Sequence, residues 1–297
     1  MIEPAIVTAI RTRLTSALAP PGEGLRPLRV DSYAVGWVNG FRAARLAAFD
    51  DVFRTDDDAI RFVPSLNDAQ ARTDALDRVT RTLAAEGALT SWRDERYAVA
   101  PDVGAAPWFV LERAAARYFG VRTFAAHVNG LVGEAGDISM WFARRSATKA
   151  TDPGMLDNLV GGGIAAGQTI AETVIKESWE EAGVLAALAG AARRTGTVEI
   201  RRERPDGLQR ETIFIHDLNV PREFVPAGQD GEVVEHRLVG LDAAARLIAN
   251  GSGPDVVTVD ASLVVLDCLM RHRAIPVDSP DTAALVSLLH PSPSSFA

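Results

Sequence analysis

Residues 161–184, GGGIAAGQTIAETVIKESWEEAGV, decide how this chain is read. Thr169 followed three positions later by Glu172 is a capping box and predicts a helix from about Ile170 to Ala182. Gly183 stands where a left-handed residue ends such a helix. At the helical repeat, Ile170, Ala171, Val174, Ile175 and Ala182 share an arc that can face a core. Glu177, Glu180 and Glu181 fall on a neighbouring arc about 100° wide, so three carboxylates point to one place. The crowding is costly. Glu177 and Glu181 are a like-charge i,i+4 pair, and Glu180 and Glu181 sit at the negative end of the helix dipole, each effect being roughly a few tenths of a kcal/mol or more.

Three acids at this spacing, taken alone, read more often as a solvated face. The preceding residues favour a ligand site instead. Gly161, Gly162, Gly163 and Gly167 predict a loop whose backbone approaches a ligand closely, with carbonyls open to a metal and amides open to an anion. Hard cations such as Mg²⁺ take carboxylate oxygens, retain waters and bridge phosphates, which gives the crowded acids a physical reason.

The rest of the 297 residues sets bounds on function. A chain that is 47% hydrophobic and 24% charged is ordinary for a globular protein, and its net charge of -8 argues against a nucleic-acid partner. The single cysteine, Cys268, forms no internal disulfide and lies in an apolar run that reads as core. No stretch approaches the roughly 20 apolar residues that cross a bilayer, so a cytoplasmic protein without membrane partners is expected.

Residues 1–120 read as a small α/β domain. Helical spacing marks EPAIVTAIRTRLTSAL, residues 67–87 and PWFVLERAAARYFG, while AIRFV and RYAVA are β-like. From Val121 the pattern turns to strands, RTFAAHVNGLV and DISMWFARR, with Gly133 to Asp137 as the turn. Beyond the 161–184 segment, GTVEIRRER and RETIFIHDLNV predict a hairpin about Pro205, Asp206 and Gly207, followed by helices near 242–250 and 258–272. Residues 121–290 are expected to form the second domain and 291–297 a flexible tail.

The central segment resembles the Nudix box, G-x5-E-x7-R-E-U-x-E-E-x-G-U. Gly162 aligns with the first glycine, Glu177 with the central glutamate, Glu180 and Glu181 with the pair, Gly183 with the second glycine and Val184 with the last position. Gln168 replaces the first glutamate, Lys176 the arginine, and Ser178 is smaller than the usual aliphatic residue. A Glu–Arg pair there would brace loop against helix, whereas Gln–Lys makes at most a single weaker hydrogen bond. HVNGLV, FARRSATKATDPGMLDNLVGGG and VPAGQDGEV extend the resemblance to the Nudix subfamily related to the Nudix part of fungal thiamine pyrophosphokinase fusions. In that subfamily a lysine at the position of Lys176 is usual.

The resemblance implies a Nudix α/β/α sandwich with a mixed sheet after the small α/β N-terminal domain. It implies Mg²⁺ or Mn²⁺ held by Glu177, Glu180, Glu181 and the Gly162 carbonyl, and water attack on phosphorus that converts thiamine diphosphate or its oxidised analogues to the monophosphate. Arg144, Arg145 and Lys149 are candidates for substrate phosphate or for a solvated basic turn. Asp157 and Asn158 are candidates for substrate contact or a plain turn, and His127, sharing a strand face with Asn129, for a pocket wall or a structural histidine. Glu232, ahead of Glu235, is the candidate extra ligand or general base. Trp108, Phe109 and Trp141 are expected to be buried, with stacking on substrate as the alternative. The expected partner is a small-molecule diphosphate, with a homodimer open as the assembly. Two alternatives stand beside this: a Nudix hydrolase of ADP-ribose, other nucleoside diphosphate derivatives or dinucleotides, and a noncatalytic diphosphate sensor.

Overall fold

The computed structural model describes residues 1–134, 136–276 and 280–291. The N-terminal part runs α1 (Pro4–Ala17), β1 (Arg26–Val30), β2 (Tyr33–Val38), α2 (Gly40–Ala47), β3 (Phe53–Thr55), β4 (Ile60–Phe62), α3 (Ala69–Ala85), β5 (Arg96–Val99), β6 (Phe109–Glu112) and α4 (Ala116–Phe119). The C-terminal part runs β7 (Arg122–Val132), β8 (Ser139–Arg145), β9 (Leu156–Asn158), β10 (Val160–Gly163), α5 (Ile170–Ala182) and α6 (Ala186–Ala189). It continues with β11 (Arg193–Arg204), β12 (Gly207–Asn219), β13 (Val233–Gly240), α7 (Leu241–Ala249), α8 (Val259–Arg271) and α9 (Pro280–Leu289).

The large sheet has the order β11-β12-β7-β8-β13, with β10 added to β7 and β9 to β8. It is mixed, because β7 and β12 are parallel while its other neighbours are antiparallel. Alternation along β7 sends Ala126 and Val128 to the α5 face, where they meet Val174 and Ala182. The opposite face buries Ala125, Ile213 and Ile215 under α8. Helices therefore cover both faces, the expected α/β/α sandwich.

The N-terminal part has its own core, centred on Leu28, Leu46, Ile60, Leu76 and Phe119, around the sheet β2-β1-β4-β3 and the hairpin β5-β6. Helix α1 departs from this arrangement. Its Ile6, Val7, Ile10 and Leu14 join the core formed by α7, α8 and α9, and Arg13 donates to Ile248 O at 2.6 Å, to Ser262 Oγ at 3.0 Å and to Val257 O. The first helix thus belongs by packing to the large sheet.

Two local expectations are corrected. PWFVLERAAARYFG is not one helix: Phe109–Glu112 pairs with β5, and helical turns begin only at Arg113. The run Gly161–Gly163 is not loop but the edge strand β10, in register with Ala125 to His127 of β7. The expected tail lies, from residue 292 on, outside the described residues.

Candidate active site

Helix α5 starts with the predicted capping box, Thr169 N donating to Glu172 Oε2 at 2.8 Å and Glu172 N to Thr169 Oγ1 at 3.2 Å. Gly183 ends it at φ 64°, in the left-handed region that glycine enters without a Cβ penalty. Loop amides then satisfy its last carbonyls: Ala227 N donates to Ala182 O at 3.0 Å and Gln229 N to Glu180 O at 2.7 Å. The acid-bearing end of the helix is fixed by the VPAGQDGEV segment.

Glu181 and Glu177 meet β10, and Glu180 is joined to Glu177 through Lys176. Glu181, 5% exposed, accepts from Gly161 N through Oε2 at 2.8 Å and from Lys149 Nζ through Oε1 at 3.1 Å. Burial pushes its carboxyl up to about 7 against the pull of Lys149. Glu177 and Glu180 both accept from Lys176 Nζ, at 2.9 and 2.7 Å, and burial raises Glu177 as well. Glu232 holds Lys149 Nζ at 2.6 Å and Arg93 at 2.7 Å; burial alone would raise it, but these hydrogen bonds bring it down to about 2. An ion-pair chain, Arg93–Glu232–Lys149–Glu181, therefore ties the N-terminal part to the box.

This donor set fits a divalent cation. It consists of oxygens gathered on one helix, and two ammonium groups already sit among the carboxylates, so positive charge is favoured there. The glycines make the convergence sterically feasible. A Cβ on Gly161 would lie 2.9 Å from the His127 ring, one on Gly162 2.3 Å from Glu177 Cγ, and one on Gly163 1.9 Å from the Tyr97 hydroxyl. Gly162→Ala is expected to displace Glu177 and lower kcat by about 10²-fold, as a roughly 1 Å misplacement can. Steady-state rates measured beside an unchanged far-UV circular dichroism spectrum check this.

Lys176 and Gln168 do not brace each other. Gln168 Oε1 accepts from Thr173 Oγ1 at 3.4 Å, while Lys176 turns to the acids. Arg144 does not line the site either, being taken by Glu235 at 2.6 Å, Asp255 at 2.5 Å and the Gly154 and Pro254 carbonyls. Arg145 lines it, held by Asp157 at 2.8 Å. Asn158 is buried behind the wall and receives His127 Nδ1 at 2.8 Å, which fixes the proton on that nitrogen. Its amide donates to Asn129 at 3.2 Å, Asn129 to Asp217 at 3.0 Å, and Arg271 closes on Asp217 at 2.6 and 3.0 Å. Phe109 is core, Trp108 packs on Tyr33, and Trp141 packs against the α5 core.

Beside these groups lies a cavity of about 180 Å³, and Glu177, Glu180 and Glu181 are not among the residues that line it. Its Nudix-box side carries Lys149, Arg145, Asp157, His127 and Gly161 to Gly163, and the N-terminal part faces them with Arg93, Tyr97, Arg113 and Arg117. Arg113 lies 5.8 Å from the Tyr97 ring centroid and pairs with Glu95 at 2.6 Å; Arg117 pairs with Asp206 at 3.0 Å. Glu211, Gln209 and Asp260 line the same cavity. The sequence offered two weak signals for these residues: Arg113 and Arg117 at i,i+4 just ahead of β7, and Gln209 and Glu211 alternating on one strand face.

Comparison with known proteins agrees with this geometry. The family model of the NUDIX domain matches residues 122–258, and that of a domain of unknown function, DUF4743, matches residues 13–123. Nudix hydrolase 24, chloroplastic, of Arabidopsis thaliana is 35% identical over 256 residues, covering 86% of this chain and 69% of the relative. Nudix hydrolase 20, chloroplastic, of the same plant is 34% identical over 262 residues, covering 85% and 69%. A crystal structure from Deinococcus radiodurans, DR0079, aligns with a TM-score of 0.45 and 20% identity over 59% of this chain and 99% of that one. The box, its sandwich and the two long relatives place the chain in the Nudix family as a pyrophosphohydrolase.

Proposed function

We propose that the chain hydrolyses thiamine diphosphate or its oxidised analogues to the monophosphate and phosphate. The observation that carries this reading is that Lys149 and Arg145 line one cavity together with Gly161 to Gly163, and that Lys149 is tied to Glu181 of the box, so cationic donors for a diphosphate stand beside the acids. The resemblance of residues 121–240 to the thiamine-linked Nudix subfamily supports the thiamine-type substrate.

In this reading Glu177, Glu180 and Glu181, with the Gly162 carbonyl, hold Mg²⁺ or Mn²⁺. What the bound ion supplies is neutralisation of the diphosphate and a more acidic water. The chain's own residues do the placing. Lys149 and Arg145, both lining the cavity, offer charge-assisted hydrogen bonds to phosphate oxygens, and the Thr151 carbonyl and Asp157 together fix the Arg145 fork. Glu232, with one oxygen on Arg93 and the other on Lys149, acts by positioning Lys149 rather than as a general base. His127, its Nδ1 committed to Asn158, sets its ring against Gly161 of β10.

The test is kcat/KM for thiamine diphosphate, oxothiamine diphosphate and ADP-ribose at equal Mg²⁺. A preference of at least about tenfold for a thiamine-type substrate is expected, the discrimination that one well-fitted pocket group supplies. Preference for ADP-ribose would overturn the substrate.

A further inference from the structure

The end of the cavity away from the box holds a carboxyl that the proposed hydrolysis does not use. Glu211 accepts from Gln209 Nε2 at 3.0 Å and from Thr123 Oγ1 at 3.1 Å, and among the described residues it has no cation within ion-pair distance. Glu211 is half-buried, and desolvation without an ion-pair partner raises its carboxyl above the usual range. Gln209 is committed too. The same amide nitrogen donates to Asp260 at 3.0 Å, while its Oε1 accepts from Arg202 at 2.8 Å. The two carboxylates thus share the Gln209 amide, with Thr123 the other donor to Glu211 and Arg202 at 3.2 Å the other donor to Asp260, and a carboxyl with about four lone-pair sites keeps some open toward the cavity.

The register sets the distance. Gly161 lies opposite His127 at the box end, and Glu211 lies beside Thr123 on the parallel strand. Four residues of β7 separate the two, about 13 Å at 3.3 Å per residue. An occupant held at both ends must carry its diphosphate about that far from a group that donates hydrogen bonds.

We propose that Glu211, with Asp260, forms a specificity subsite for the organic half of the substrate and takes the N–H edge of a nitrogen heterocycle. The subsite rests on the diphosphate-hydrolase reading but not on thiamine: the pyrimidine of a thiamine compound and the base of a nucleoside both present such an edge. Tyr97 and the Arg113 side chain over its ring wall the space between the two ends.

Two readouts separate this subsite from the proposed activity. The first is calorimetric titration of metal-free protein with thiamine and, separately, adenosine, neither of which carries phosphate. Wild type is expected to bind at least one of them, and Glu211→Gln and Glu211→Leu to bind it about tenfold more weakly or worse, the loss of one charge-assisted hydrogen bond. Failure of wild type to bind either heterocycle, or equal binding by the variants, overturns the subsite whatever the enzyme hydrolyses. The second is steady-state hydrolysis of the better ring-bearing diphosphate beside methyl diphosphate. In Glu211→Gln, KM for the ring-bearing substrate is expected to rise about tenfold with kcat little changed and methyl diphosphate unaffected. Parallel losses on both substrates would mark Glu211 as merely structural.

Discussion

Glu181→Gln is expected to lower kcat by about 10³-fold, the largest loss of any single substitution here; the removal of several kcal/mol of transition-state charge stabilisation has that size. Both carboxylate oxygens are already accepting, Oε2 from Gly161 N and Oε1 from Lys149. Glutamine offers one acceptor and one donor, so either the β10 amide or the lysine ammonium must face an NH₂ group. The site loses a charge and a geometric clamp in one change. Mg²⁺ half-saturation should rise with the fall in kcat, while KM for substrate at saturating metal moves less. Initial rates over a matrix of Mg²⁺ and substrate concentrations read the three quantities separately. A rate close to wild type would remove Glu181 from the metal site.

The second large effect is on stability. Asp217→Ala is expected to cost about 3 kcal/mol, because it breaks a buried ion pair and leaves polar partners unsatisfied. Asp217 is 4% exposed and receives the two terminal Arg271 nitrogens and the Asn129 amide. Its loss frees Asn129, then Asn158, and so the support behind His127. Urea denaturation of Asp217→Ala, Arg271→Ala and the double variant measures this. The double variant should be less destabilised than the sum of the singles, since both remove the same pair. Additive losses would show that Asp217 and Arg271 act independently.

What was legible in the sequence was what local chemistry dictates. The capping box, Gly183 and the 3.6-residue repeat located α5 to the residue, and alternation located β7, β8, β11 and β12. Residues 161–163 were misread because glycines carry no periodicity; only the partner strand β7 makes them a strand. The segment before Gly120 misled for the opposite reason. Its alanines and arginines favour helix, but Phe109–Glu112 is claimed by pairing with β5. α1 was visible as a helix, yet nothing local reveals that it packs on α7 and α9 rather than on the sheet that follows it.

The candidate site divides in the same way. Its acids were readable because a single helix turn brings them together. Arg93, Tyr97, Arg113 and Arg117 come from elements far from the box in sequence, so their convergence is a product of tertiary folding. Lys176 shows how a substitution changes meaning in context. Judged as a lost brace, it weakens the box; in the fold it sits between Glu177 and Glu180 and offsets their repulsion.

The most direct test of a metal-dependent diphosphate hydrolase built on these acids is a single incubation series in ¹⁸O-enriched water. Wild type and Glu180→Gln, with and without Mg²⁺, are given thiamine diphosphate, oxothiamine diphosphate, ADP-ribose and NADH, and products are resolved by mass. The account predicts Mg²⁺-dependent turnover of at least one substrate by wild type, one solvent oxygen in one phosphate product, and a rate for Glu180→Gln lower by about 10²-fold or more. Absence of turnover of all four by wild type, or an unchanged rate in Glu180→Gln, would contradict it.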